Sequence, residues 1–278
     1  MAVVFALASA LAWGCADFIG GVGSRRFGVL PVLLLIEGGG LAVMTAVVVA
    51  LQPEPLPSGL ALQALAAGAL GVTGLGLFYR AMAIGTVSVA APVAATGVVL
   101  PVAAGVLGGE RPSAAQWIGL LAIIAGVMLA SREQSGVVVD AGAARRSVLL
   151  ALVAAVCFGA FYILIAEPSQ HAIGWTVLLI RAAPVPVLFL LWRRSRAPLP
   201  PRRTALALAA AGSIDLAATV LIAAANQHGD LSIVAVLSSM YPVATVLLAA
   251  AFLHERLLAS QYVGVVLALG GIVAVAGG

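Results

Sequence analysis

Lysine is absent from all 278 residues, and charged side chains of any kind make up only 9% of them. A soluble domain of this size solvates its surface with about 25% charged residues. With 63% apolar residues and a mean hydropathy of +1.17, the chain lacks the charge to cover a water-facing globule. Lipid must be its main solvent. The two cysteines, Cys15 and Cys157, both lie inside apolar runs without metal-ligand or disulfide-framework spacing, and they read as small packing residues. The three histidines, His171, His228 and His254, are scattered among loops. Glycines at 68, 71, 74 and 76 superficially resemble a phosphate loop, but they sit inside an apolar helix with no preceding strand. That spacing suits close helix packing. The net charge of +4 is no nucleic-acid signal, because the arginines stand in short clusters between apolar runs. No cofactor, metal or nucleic-acid partner is expected.

What the chain has in abundance is apolar runs of about 20 residues, the length that spans a hydrocarbon core as a helix. Ten candidate spans cover 2–21, 29–51, 59–79, 86–108, 114–131, 147–166, 174–192, 204–225, 231–253 and 259–277. Polar or helix-breaking clusters separate them, among them Ser24-Arg25-Arg26, Pro53-Glu54-Pro55, Glu110-Arg111-Pro112, Glu167-Pro168 and His254-Glu255-Arg256. The weakest boundary is Gly85, between the third and fourth spans, and without it the count falls to nine. The first run lacks a basic flank and is followed by many more, so residues 2–21 read as a retained helix. The expected fold is all-α, a polytopic transmembrane bundle of ten helices.

The two halves repeat. Gly109-Glu110-Arg111 with Gln116, Gly119 and Gly126 matches His254-Glu255-Arg256 with Gln261, Gly264 and Gly271 at an offset of 145. Gly85 and Ser88 match Gly229 and Ser232 at 144, Trp13-Gly14 matches Phe158-Gly159, and Glu37 falls on Arg181. Repeats at 2–131 and 147–277, joined by 132–146, hold five helices each. An odd number sends the second half in from the opposite face, so the repeats are inverted. Loops on the face opposite the termini hold twelve arginines, while those on the terminal face hold only Arg111. The positive-inside rule makes the arginine-rich face cytoplasmic. The expected location is a plasma membrane, the bacterial inner membrane.

These features resemble the drug/metabolite transporter superfamily, in particular ten-helix transporters with two EamA domains. The resemblance rests on Trp13-Gly14, Phe78-Tyr79-Arg80-Ala81, Val87-Ser88-Val89, the repeated Glu-Arg and Gln/Gly motifs, and Pro242 thirteen residues before Glu255. Gly97 stands where the first half would carry the matching proline, and Glu37 stands where family members carry an arginine early in the second helix. Arg181 fits that pattern in the second half. The resemblance implies a secondary carrier of small metabolites, often an exporter, working by alternating access with its site near the midplane.

Ionisable groups inside spans cost about 2.5–3.5 kcal/mol each at a helix centre, so each one asks for a reason. Asp17 has no basic residue within its helix to neutralise it, and it is the first candidate for proton coupling. Related four-helix carriers bear a coupling carboxylate in their first helix, and a desolvated carboxylate can exchange a proton for substrate. Arg181 and Asp215 lie on consecutive antiparallel helices at similar depth and read either as a structural ion pair or as a substrate or proton site. Glu37 can pair with Arg80, the favoured partner, or with Arg181. Trp13, Tyr79, Tyr162 and Asn226 are expected to line a cavity or to serve as packing and interfacial anchors. Glu110-Arg111 and Glu255-Arg256 read as turn-setting motifs at helix ends. The expected function is therefore a secondary active exporter of a small metabolite, amino acid or drug, with protons as the candidate coupling ion. A lipid flippase is the alternative; a membrane enzyme would need clustered nucleophiles, metal ligands or paired acids that the chain does not gather. The oligomeric state is left open.

Overall fold

Lipid offers no partner to a free peptide N–H or C=O, so a chain this apolar satisfies its backbone within helices. A computed structural model describes residues 1–84, 93–94, 96–130, 141–241, 243–244, 247–248 and 258–277. It is all-α: α1 Ala2–Phe27, α2 Val29–Leu51, α3 Ser58–Ile84, α4 Val99–Leu107 behind a 3-10 turn at Thr96–Val98, and α5 Ala114–Ala130. The second half has α6 Ala141–His171, α7 in two pieces (α7a Ile173–Ala182 and α7b Pro184–Ser195), α8 Arg202–Asn226, α9 Leu231–Ser238 and α10 Ala259–Gly277. Counting α7 once, the described residues hold ten helices, and six segments, α7 taken whole among them, are long and apolar enough to cross a membrane. Gly85, Val87-Ser88-Val89, Pro242 and His254-Glu255-Arg256 lie outside the described residues, as do Arg132 and most of the connection between the repeats.

Several expected boundaries move. The first helix runs on through Ser24-Arg25-Arg26 to Phe27, so the helix of Asp17 does carry basic residues, eight and nine positions further on. The third extends to Ile84 and the sixth begins at Ala141. The sixth helix does not stop at Glu167-Pro168 but runs through Pro168 to His171. A proline so near the end costs little, because few later residues depend on the ladder it interrupts. The seventh span breaks at Ala183, where Pro184 takes the first position of the next helix and cannot donate to the carbonyl of Ile180.

The packing follows the inverted repeat. Three helices meet their own counterparts: α2 packs on α7, α4 on α9 and α5 on α10. The first and third helices of each repeat exchange partners, α1 packing on α8 and α3 on α6, and α2 also packs on α8. Backbone approach at the α5/α10 crossing is itself two-fold. A Cβ on Gly126 would stand 2.6 Å from the carbonyl oxygen of Gly264, and one on Gly119 would stand 2.7 Å from that of Gly271. The glycines recognised as repeat markers are thus the contact points of the two repeats. Overpacking a tight contact costs about 1–3 kcal/mol, so Gly126→Val is expected to lower the thermal midpoint in detergent. Gly270→Val on the same interface helix, where a Cβ meets nothing within 4 Å, is expected to melt like the native protein.

The terminal-face loops are tied by the Glu-Arg motif. Gly109, at φ +105°, turns the chain out of α4, and both carboxylate oxygens of Glu110 accept hydrogen bonds at the start of α9. The N–H of Leu231 donates at 2.6 Å and that of Ser232 at 3.1 Å. A carboxylate there satisfies open N–H groups and meets the positive end of the helix dipole. Next in sequence, Ser113 and Gln116 form a reciprocal capping box on α5, and Gln116's counterpart Gln261 accepts from the N–H of Leu258 at 2.7 Å. Glu110→Ala is expected to cost about 1–2 kcal/mol, the range of a lost helix cap, with Glu110→Gln falling between; differential scanning fluorimetry reads both.

Candidate functional site

The bundle centre is set by the pair of symmetry mates at 37 and 181. Helices α2 and α7a approach each other and α8 closely because small residues leave room: a Cβ on Gly40 would stand 3.1 Å from the carbonyl oxygen of Gly212 and 3.8 Å from Cδ of Arg181. On the other side, Gly68 presses on the carbonyl of Ile180, and Gly212 presses on that of Ile36. These two contacts are the same contact in the two repeats, since 68 and 212, like 36 and 180, are 144 apart.

Into this crossing Arg181 carries a guanidinium whose side chain is only 4% exposed. Its Nη1 donates to the Glu37 carboxylate at 2.7 Å and also meets the Asp215 carboxylate. Its Nη2 donates to the Thr219 hydroxyl at 2.6 Å and to the Asp215 carbonyl at 3.1 Å. The Thr219 hydroxyl in turn donates to that carbonyl at 3.1 Å. A charge this deep exists only when paired and hydrogen-bonded. The cluster joins α2, α7a and α8, one helix of the first repeat and two of the second. The expected partner of Glu37 is thereby corrected: the carboxylate meets Arg181, because α2 and α7 converge on the two-fold axis, whereas Arg80 is exposed at the far end of α3 and forms no salt bridge among the described residues.

Beside the cluster lies a cavity of about 130 Å³ lined by both repeats. Asp17, Glu37, Arg181, Asp215 and Thr219 are its polar wall. Among the described residues, Arg181 makes the only salt bridges, so none reaches Asp17. Asp17 instead has a side-chain hydrogen bond with Tyr79, on α3. The rest of the wall is aromatic and aliphatic, with Val72, Leu75, Val98 and Ile180 beside the rings and Ser239 as a further polar group. The Trp13 ring meets those of Phe161 at 6.2 Å, Tyr162 at 6.2 Å and Tyr241 at 6.4 Å, all edge to face. Phe78 meets Phe158 in the same manner at 6.2 Å. Pro184, at the break in α7, also lines the space.

Of the residues singled out from sequence, Asp17, Asp215, Glu37, Arg181, Trp13 and Tyr162 come together here. Three do not line the cavity: Arg80, already placed at the far end of α3, Tyr79 and Asn226. Tyr79 reaches it only through Asp17. Asn226 lies eleven residues beyond Asp215 on α8, about 16 Å at 1.5 Å per residue, and is buried at the terminal-face end of that helix. Its amide O and N have no hydrogen-bond partner among the described residues. Sequence reading passed over Thr219, Ser239, Tyr241 and Phe161. Thr219 had a signal, since it follows Asp215 by four residues and so shares its helix face.

Apolar helices in two interlocked inverted sets, with charge gathered around a central aromatic cavity, define a polytopic membrane carrier. The chain belongs to the EamA-like transporter family, whose profile matches residues 1–132 and 145–277. It is accordingly a secondary transporter of the drug/metabolite transporter superfamily, not an enzyme. A solved structure, described only as the crystal structure of a protein, superposes with a TM-score of 0.80 over 98% of this chain and 95% of its own, at 20% identity. That likeness speaks to the fold. No curated protein matches the chain.

Proposed function

We propose that this transporter exports a small amphipathic metabolite across a plasma membrane in exchange for protons. Repeats at 2–131 and 147–277, linked through 132–146, would rock about the fixed cluster at Glu37 and Arg181, opening the cavity to one face and then the other. The observation that carries the proposal is that Asp17 and Asp215 line one cavity between the repeats. Asp215 is held by Arg181, whereas Asp17 has a phenol and aromatic rings around it, which leaves Asp17 as the group to hand over a proton. Cytoplasmic placement of the arginine-rich face is supported by Arg193, Arg194, Arg196, Arg202 and Arg203, all exposed between α7b and the start of α8.

Reconstitution tests this directly. Proteoliposomes with an internal pH dye are challenged with amino acids, amines and drugs, with and without a pH gradient. Substrate-dependent proton movement supports exchange. Solute flux indifferent to the gradient sinks proton coupling, and lipid scrambling without solute flux would make the protein a flippase.

A further inference from the structure

The cavity's charge is unbalanced. Among the described residues, three carboxylates, Asp17, Glu37 and Asp215, face it with a single guanidinium, that of Arg181. The guanidinium is already occupied: Nη1 is shared by Glu37 and Asp215, and Nη2 is taken by Thr219 and the Asp215 carbonyl. Its remaining nitrogen, Nε, has no hydrogen-bond partner among the described residues, yet it is sealed from the cavity by burial. A carboxylate arriving with a substrate would have to displace one of these partners and would leave it buried and unpaired, a loss of several kcal/mol. The Asp17 carboxylate, by contrast, faces the cavity without a cation among the described residues. Around it stand Trp13, Tyr162 and Tyr241, rings whose electron-rich faces attract cations. At about 130 Å³ the space is smaller than the several hundred Å³ of drug-sized pockets.

We propose that the substrate is a compact monovalent amine cation, with its ammonium beside Asp17 among the Trp13, Tyr162 and Tyr241 rings and its apolar tail against Phe158 and Phe161. The assignment rests on the reading of this cavity as the transport site. It excludes organic anions and disfavours zwitterions, because the one positive group is spent within the fold. A proton and the amine compete for Asp17. The ionisable groups facing that carboxylate are Asp215 on α8, Tyr79 on α3, Tyr162 on α6 and Tyr241 after α9, and Glu37 and Arg181 complete the charged wall.

A matched series that varies only the charge tests the idea. The purified full-length protein in nanodiscs is titrated calorimetrically with phenethylamine, 2-phenylethanol, phenylalanine and phenylacetate. Phenethylamine is expected to bind best, with an affinity that falls as pH is lowered, by up to about tenfold per unit for one competing proton. Phenylacetate is expected to show no binding. Asp17→Asn should weaken the amine at least about tenfold and remove its pH dependence, while Trp13→Leu should weaken it about 2- to 30-fold, the span of a cation–π contact. Equal or tighter binding of phenylalanine or phenylacetate overturns the proposal, as does absence of amine binding or a folded Asp17→Asn that binds the amine normally. If Asp17→Asn does not accumulate, the charge series on the native protein and the Trp13→Leu variant decide the matter. Amine binding without counterflow in proteoliposomes would sink the carrier reading and leave the cation site standing. Phenylalanine flux that the amine does not inhibit would do the reverse.

Discussion

Arg181→Met is expected to be the most damaging single substitution in the protein, lowering stability by about 3–5 kcal/mol, the cost of breaking a buried ion pair from one side. Methionine matches the volume and removes the only cation paired with Glu37 and Asp215 among the described residues; their side chains are 11% and 16% exposed. Two carboxylates would then stand together in a low-dielectric site, each raising the cost of the other. The Thr219 hydroxyl would lose its donor as well. Fluorescence-detected gel filtration of a tagged protein should show little monodisperse material, and what survives should melt early. The companion variant sharpens the test. Replacing all three charges at once, Glu37→Gln with Arg181→Met and Asp215→Asn, removes the unpaired charge along with the pair and is expected to recover most of the lost stability. Buried ion pairs can often be exchanged for neutral groups at little cost. Transport should be absent in this triple variant, because the charged cluster about which the repeats rock is gone. An Arg181→Met protein that melts like the native one would remove the cluster from its structural role.

How far the sequence revealed this can be judged residue by residue. The helices were legible because lipid imposes length and composition together, so each apolar run announces itself. The break in α7 was less so: Pro184 is visible, but a proline within a transmembrane run can kink, break or merely bend it. The pairing of Glu37 with Arg181 was half legible. Their equivalence across the repeats could be read from the 144-residue offset, whereas the convergence of α2 and α7 on the axis depends on glycines meeting backbone carbonyls. Gly40 and Gly212 carry no label that says which helix they touch. Depth along a helix was readable and direction around it was not, and direction decides that Asp17 and Asp215 line the cavity while Tyr79 does not. Glu110 illustrates the opposite limit. As a motif it stood out, yet its partners are backbone N–H groups 121 and 122 residues away, and an N–H has no sequence signature.

Asp17→Asn is expected to abolish proton-driven accumulation while leaving a folded protein. The amide is nearly isosteric and can still accept from Tyr79, so the partner of Asp17 keeps its hydrogen bond. No salt bridge to Asp17 exists among the described residues to be broken, and neutralising a carboxylate near Asp215 relieves repulsion. The thermal midpoint should therefore hold or rise, in contrast to Arg181→Met. What is lost is the site that trades a proton for the substrate. With one proton exchanged for each monovalent cation, a one-unit pH gradient sustains about a tenfold substrate gradient. The variant should collapse that ratio to one, and substrate-dependent alkalinisation or acidification of the lumen should vanish with it. Asp17→Glu, which restores the charge one methylene further out, is expected to recover part of the accumulation. A well-folded Asp17→Asn that still concentrates substrate against a pH gradient would move the coupling site to Glu37 or Asp215, the other two carboxylates that face the cavity.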